Sequence, residues 1–102
     1  MVDEKIINDV KDFISQLRDE IDIKYVYLFG SYAKEKNIDS SDIDIAIVSD
    51  NFEGFIFADN EKILKRTKNV NRMIEPHPFR VKDFTQENPF VKEIISTGIQ
   101  IF

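Results

Sequence analysis

The chain has 102 residues, enough for one hydrophobic core, and we predict a single domain over residues 1–102. Hydrophobic residues make up 42% of the chain and charged residues 32%, which is typical of a globular protein and not of a disordered segment. The absence of cysteine excludes disulfides and thiolate zinc sites, and the net charge of −5 disfavours nonspecific binding to nucleic acid. The N-terminal residues contain no uninterrupted apolar run of the kind found in signal peptides and membrane spans, so we expect a soluble, cytoplasmic protein with no membrane partner.

The first half of the chain predicts one helix followed by two strands. Apolar residues recur at spacings of three and four between Asp3 and Ile21, which indicates a helix with one buried stripe and with Asp3 as its N-cap. The apolar and aromatic run from Lys24 to Phe29 predicts a buried, central strand that closes at Gly30. The segment from Asp42 to Ser49 predicts a second strand, because its first residues alternate between aspartate and isoleucine.

The middle of the chain predicts an apolar segment and a mostly exposed helix. Residues 55–57 read Phe-Ile-Phe, and we expect them to pack against the body of the protein. Charged residues predominate between Ala58 and Lys68, which predicts a helix whose inward contacts are Ile63 and Leu64.

The last third of the chain predicts a strand, a helix and a short terminal strand. Val70 to Glu75 is a strand candidate that we expect to stop at Pro76, because proline has no amide hydrogen for a sheet ladder. A final helix is predicted around residues 90–95, with Gly98 just past its end and residues 99–102 as a terminal strand or apolar tail. The fold class expected from this order is α+β, a small mixed sheet flanked by helices.

Two aspartates stand one residue apart in the second predicted strand. Side chains two apart project from the same face of a strand, so Asp42 and Asp44 point one way while Ile43 and Ile45 point into the core. Like charges that close are costly unless a cation bridges them or one carboxylate is protonated. Magnesium prefers oxygen ligands and commonly combines one or two carboxylates with substrate phosphates, so the pair predicts a site for phosphoryl or nucleotidyl transfer.

The Gly-Ser turn before this strand predicts the complementary half of such a site. Gly30 lets the backbone approach a ligand closely, the Ser31 hydroxyl assists in binding phosphate oxygens, and Lys34 is a candidate counter-charge. The Gly-Ser turn by itself is more often an ordinary turn, and the aspartate pair by itself is more often a solvated strand end. Their combination is much more specific for a phosphate and metal site. No Walker A sequence is present, and the segment from Asp39 to Asp44 lacks the glycine that a calcium loop of the EF-hand type requires.

At these residues the chain resembles the minimal nucleotidyltransferases of the DNA polymerase beta superfamily. Their signature is a Gly-Ser turn followed by an Asp-x-Asp strand, found here in residues 30–34 and 41–45. The resemblance implies the nucleotidyltransferase fold, two Mg²⁺ ions on Asp42 and Asp44, and transfer of a nucleoside monophosphate from a nucleoside triphosphate, expected to be ATP, with release of pyrophosphate. It also implies a third carboxylate from a later strand, for which Glu75 is the best match.

The resemblance also implies a partner, because small stand-alone domains of this kind are often the antitoxin that accompanies a HEPN-type helical protein. One residue departs from the family pattern: Glu35 stands where the family often has glycine and places a negative charge near the expected triphosphate. A noncatalytic module that binds a nucleotide or a partner therefore stays open as the alternative. His77, the single histidine, lies between two prolines, and its alternatives are a pH-sensitive general base and an ordinary loop histidine, of which we favour the second.

Overall fold

The structure is a computed structural model that describes residues 2–65, 67 and 70–102. The main elements in chain order are α1 (Glu4–Leu17), β1 (Ile23–Phe29), β2 (Ile43–Ser49), α2 (Ile56–Leu64), β3 (Ile74–Phe79), a 3₁₀ turn (Val81–Asp83), α3 (Pro89–Thr97) and β4 (Ile99–Gln100). The strands form one sheet in the order β3-β2-β1-β4, in which β1 pairs antiparallel with β2 and β4 while β2 pairs parallel with β3. The expected mixed sheet flanked by helices is therefore confirmed.

One face of the sheet carries the main hydrophobic core. The isoleucines of β2 pack there, together with the buried stripe of α1. The Asp3 carboxylate accepts a hydrogen bond from the Lys5 amide, which confirms the predicted N-cap. The helix ends at Leu17, four residues earlier than predicted, and a tight turn then carries Ile21 into the same core. Within the described residues, no helix is both long and apolar enough to cross a membrane.

The opposite face of the sheet is only partly covered, by α3 and the turn before it. Phe29 and Ala46 pack there against Ile94 of α3. The side chain of Asn88 caps α3 by accepting a hydrogen bond from the Phe90 amide, and Gly98 follows the helix end as predicted. Asp44 belongs to the same strand face as Ala46, and it lies beyond the cover that α3 provides, where its side chain is partly exposed.

The third strand does not occupy the predicted residues. It begins at Ile74, not Val70, and it continues through Pro76 and Pro78 to Phe79. Proline is tolerated because β3 is the outermost strand of the sheet, where one edge of the backbone needs no ladder hydrogen bond. The prediction that the strand stops at Pro76 was therefore wrong, and the residues after the proline belong to the sheet.

The apolar segment before α2 is on the surface, contrary to our expectation. Phe55, Ile56 and Phe57 are 72%, 60% and 87% exposed, and Leu64 is also exposed while Ile63 is buried. The inward face of α2 is formed by Ile63 and by Asp59, whose carboxylate accepts hydrogen bonds from two loop amides, those of residues 53 and 54. These bonds fix the rotation of the helix and turn its first residues outward. The predicted helix end at Lys68 lies outside the described residues.

Candidate active site

The Gly-Ser turn and the aspartate strand meet directly. Antiparallel pairing places Phe29 opposite Asp44, so the turn that follows β1 lies beside the start of β2. Gly30 has a φ of +75°, and a Cβ built on it would lie 2.6 Å from the Asp44 Oδ2 atom. Glycine is required here for two reasons, because the backbone conformation and the close approach both exclude a side chain. The structure thus brings together the two halves that the sequence placed 14 residues apart, from Gly30 to Asp44.

Asp44, Glu75 and His77 converge on one point of the open sheet face. Parallel pairing places Glu75 opposite Asp44, and His77 follows two residues later on the same face of β3. Each residue offers one potential ligand atom, and these three atoms lie within 4.8 Å of one another. The His77 Nε2 atom lies 3.2 Å from the Asp44 Oδ1 atom.

Asp42 joins this cluster through Glu75. It is exposed, and it stands immediately before β2, on the same side as Asp44. A hydrogen bond with Asp42, reinforced by burial, raises the pKa of Glu75 above its usual value, although the nearby imidazole of His77 opposes this shift. Carboxylates this crowded are stabilised by a cation, and their oxygen atoms fit the ligand preference of Mg²⁺. Among the described residues, Asp44, Glu75 and His77 bring their potential ligand atoms close enough together to hold one ion, and Asp42 lies beside Glu75.

His77 occupies a position that our favoured sequence interpretation did not predict. We expected an ordinary loop histidine, but His77 lies in β3, and its ring packs edge-on against Phe29 with the ring centroids 5.0 Å apart. The signal was present, since Glu75 and His77 are two apart and so share one face of any strand that contains both. The expectation that the strand stops at Pro76 concealed it.

Ser31 and Lys34 belong to the helical turn that follows Gly30. The backbone amide of Lys34 donates to the Gly30 carbonyl, which keeps the turn compact. The Lys34 Nζ atom forms an ion pair with the Glu93 carboxylate of α3 at 3.1 Å, across a cleft that Phe29 and Phe90 also line. Both charged groups are substantially exposed, so this pair contributes little to stability and is readily exchanged for another anion. Glu93 is a second residue near the site that the sequence did not suggest.

Glu35 ends this turn in a conformation that usually belongs to glycine. Its φ is +57°, the Lys36 amide donates to the Ser31 carbonyl, and the Glu35 amide donates to the Tyr32 carbonyl. This pair of hydrogen bonds is the Schellman pattern, in which the left-handed position is most often glycine. The sequence suggested that Glu35 matters through its charge, whereas the structure gives the position a conformational requirement as well.

We expect Glu35→Gly to increase the free energy of unfolding by about 0.5–1 kcal/mol, because relief of left-handed strain exceeds the added entropy of the unfolded chain. Urea denaturation of the two proteins measures this difference. Glu35→Gln is the matched control, since it removes the charge and keeps the strained backbone, and its stability should stay within about 0.5 kcal/mol of the parent. Equal stabilisation by both variants would mean that charge, and not conformation, is what Glu35 imposes on the turn.

Comparison with known proteins places this geometry in context. The family model for polymerase beta nucleotidyltransferases matches residues 9–102. A crystal structure from Sulfolobus solfataricus, assigned to the nucleotidyltransferases, superposes with a TM-score of 0.67 at 20% identity and covers 93% of this chain and 78% of its own. A search of curated proteins gave no match.

Two toxin-antitoxin structures share the fold. A mutant of the MntA-HpeT toxin-antitoxin gives a TM-score of 0.60 at 20% identity, covering 90% of this chain and 71% of its own. A toxin-antitoxin with AMP-PNP gives a TM-score of 0.61 at 22% identity, covering 94% of this chain and 72% of its own. At these identities, the superpositions establish a common fold.

Proposed function

Because the chain belongs to the polymerase beta nucleotidyltransferase family, we propose that it transfers AMP from ATP to a hydroxyl group of a protein or other acceptor. The observation that carries the proposal is the close approach of the Asp44 carboxylate to the Gly30 backbone, which leaves no room for a Cβ. A turn suited to phosphate oxygens and a cluster of carboxylates suited to a divalent cation occupy one site. Nucleotidyl transfer needs both groups around the same triphosphate.

Each residue of the site has a distinct role in this proposal. Asp42, Asp44 and Glu75 would hold two Mg²⁺ ions, which would neutralise the charge of the triphosphate. Gly30 and Ser31 contact the phosphate oxygens through the backbone and the serine hydroxyl. The Lys34 ammonium exchanges Glu93 for a phosphate oxygen, which costs little because the ion pair is exposed.

The reaction is a displacement at the α-phosphorus of ATP. The acceptor oxygen forms a bond to the α-phosphorus, the bond from that phosphorus to the bridging oxygen of the β-phosphate breaks, and pyrophosphate leaves. The hydroxyl proton passes to a carboxylate. Glu75 is the carboxylate that we propose to receive it, because it lies beside Asp44 in the cluster.

The acceptor that we propose is a HEPN-type helical partner, with this chain as the antitoxin of the pair. Two of the structural neighbours are toxin-antitoxin proteins, and one of these was determined with AMP-PNP. The other is a double mutant in which two aspartates, two positions apart, are replaced by glutamate. That spacing is the spacing of Asp42 and Asp44, which supports a shared role for the pair.

The function is tested with ATP labelled at the α-phosphate. We expect label to move to a purified HEPN-type protein, encoded beside the gene for this chain, only when Mg²⁺ and this chain are both present. ATP labelled at the γ-phosphate is the control, and its label should appear only in pyrophosphate. Transfer of the γ-label to the acceptor would replace this proposal with a kinase reaction.

Binding without transfer identifies the alternative function. If the chain binds AMP-PNP and the partner by calorimetry but moves no label under any condition, it acts as a noncatalytic module that occludes its partner. Glu35 is the residue to change in that case. Restoration of transfer in Glu35→Gln would attribute the lost activity to the extra negative charge beside the triphosphate.

A further inference from the structure

We propose that His77 is a direct nitrogen ligand of the divalent cation held by Asp44 and Glu75, and that this nitrogen makes the site prefer Mn²⁺ over Mg²⁺. The inference rests on the proposed function only in requiring a cation at these carboxylates. It adds a ligand of a different chemical type to a site otherwise made of oxygen donors.

The distance between the His77 and Asp44 donor atoms is that of neighbouring ligands around one ion. Two neighbouring donors on a divalent cation with bonds of about 2.1 Å lie about 3.0 Å apart in an octahedron and about 3.4 Å apart in a tetrahedron. The His77 Nε2 atom lies 3.2 Å from Asp44 Oδ1, and the Glu75 oxygen completes a group within 4.8 Å. One ion is within reach of all three.

The imidazole is held in place before any cation binds. Phe29 packs edge-on against the ring, with the two ring planes at 63°. Ala46, the residue opposite His77 in the parallel pair, is fully buried and presents only a methyl group, which leaves the ring room on this face. A ligand fixed by its neighbours loses little side-chain entropy on coordination, so the fold favours binding at this nitrogen.

The contact between His77 and Asp44 is compatible both with a hydrogen bond and with coordination of a shared cation. Without a cation, the Nε2–H group of a neutral imidazole can donate to the Asp44 carboxylate. As a ligand, the same neutral ring presents the Nε2 lone pair to the ion and carries its proton on Nδ1. The two side chains are therefore positioned to share a proton or a cation.

The nitrogen determines which cation is preferred. Mg²⁺ keeps oxygen ligands almost exclusively, whereas imidazole binds first-row transition ions well, and affinity for such ions rises from Mn²⁺ towards Cu²⁺. Removing the nitrogen should therefore weaken Mn²⁺ binding far more than Mg²⁺ binding. A histidine that only supported the fold would change both affinities equally.

The experiment is pulsed electron paramagnetic resonance of Mn²⁺ bound to the full chain, prepared without a histidine tag and without nucleotide. His77 is the single histidine of the chain, so the nuclear modulation of a coordinated imidazole nitrogen can arise from this residue alone. We expect this signal in the parent protein and its loss in His77→Gln. We also expect Mn²⁺ affinity to fall about 10–100-fold in that variant, and Mg²⁺ affinity to change by less than about threefold.

The outcomes separate this inference from the proposed function. If Mn²⁺ binds to the parent protein but shows no imidazole modulation, the proposed role of His77 is wrong and the carboxylate site is unaffected. This measurement uses the parent protein alone and does not depend on the folding of a variant. Failure of the parent to bind either ion overturns the carboxylate site as well. Equal losses of Mn²⁺ and Mg²⁺ affinity in His77→Gln would overturn the metal preference.

Discussion

Asp44→Asn is expected to reduce AMP transfer by about 10³-fold, equivalent to about 4 kcal/mol of transition-state stabilisation. The amide keeps the shape of the side chain and its place beside Gly30 but removes the negative charge that the cation requires. Crowding with Glu75 is relieved at the same time, so the free energy of unfolding should stay the same or rise. Initial rates of label transfer and urea denaturation measure the two effects.

Asp50→Asn is the control for this substitution. Asp50 is exposed in the turn at the other end of β2, away from the carboxylate cluster, so the same chemical change should leave transfer unaltered. Retention of activity in Asp44→Asn, with intact folding, would show that the carboxylate does not hold a catalytic cation.

Gly30→Ala is expected to lower both activity and stability. The substitution places an L-residue at a φ of +75° and a methyl carbon 2.6 Å from the Asp44 Oδ2 atom, so either the turn or the carboxylate must move. Left-handed strain costs about 1–2 kcal/mol of folding free energy, and a displacement of about 1 Å at a reacting site costs about 10²-fold in rate. Denaturation curves and transfer rates of the variant measure the two losses.

Gly54→Ala is the control that separates the effect of backbone strain from the effect of changing the candidate site. Gly54 has a φ of +88°, and the three atoms nearest to a Cβ there all belong to the end of the flexible Arg80 side chain. This variant should lose about 1–2 kcal/mol of stability and keep its transfer rate. If Gly54→Ala and Gly30→Ala impair transfer equally, the loss at Gly30 reflects general destabilisation and not the contact with Asp44.

Local features of the sequence were sufficient to predict the first helix and the first two strands of the fold. Asp42 and Asp44 alternate with Ile43 and Ile45, so the alternation of side chains along a strand places the carboxylates on the face opposite the isoleucines. The glycine that ends β1 indicated a tight turn, and its positive φ agrees. These predictions depend on neighbours in the chain, which is why they required no tertiary information.

The apolar segment before α2 lies on the surface because of polar contacts made by a neighbouring residue. Residues 55–57 are as hydrophobic as core residues, and composition alone favours burial. The buried Asp59 carboxylate instead orients α2 by binding the loop amides, and Ile63 fills the core. A buried charge is not anticipated from hydrophobic periodicity, so the outward rotation was missed.

The sequence by itself determined which candidate residues share one face of β2 and where the turn before it lies, because strand alternation and glycine conformation are local properties. Only the tertiary structure decided what faces them. Whether a strand continues through Pro76 depends on its place at the edge of the sheet, and the parallel pairing of β3 with β2 joins residues about 30 positions apart. That pairing brings Glu75 and His77 to Asp44. The candidate site therefore contains carboxylate and imidazole groups from two strands, β2 and β3.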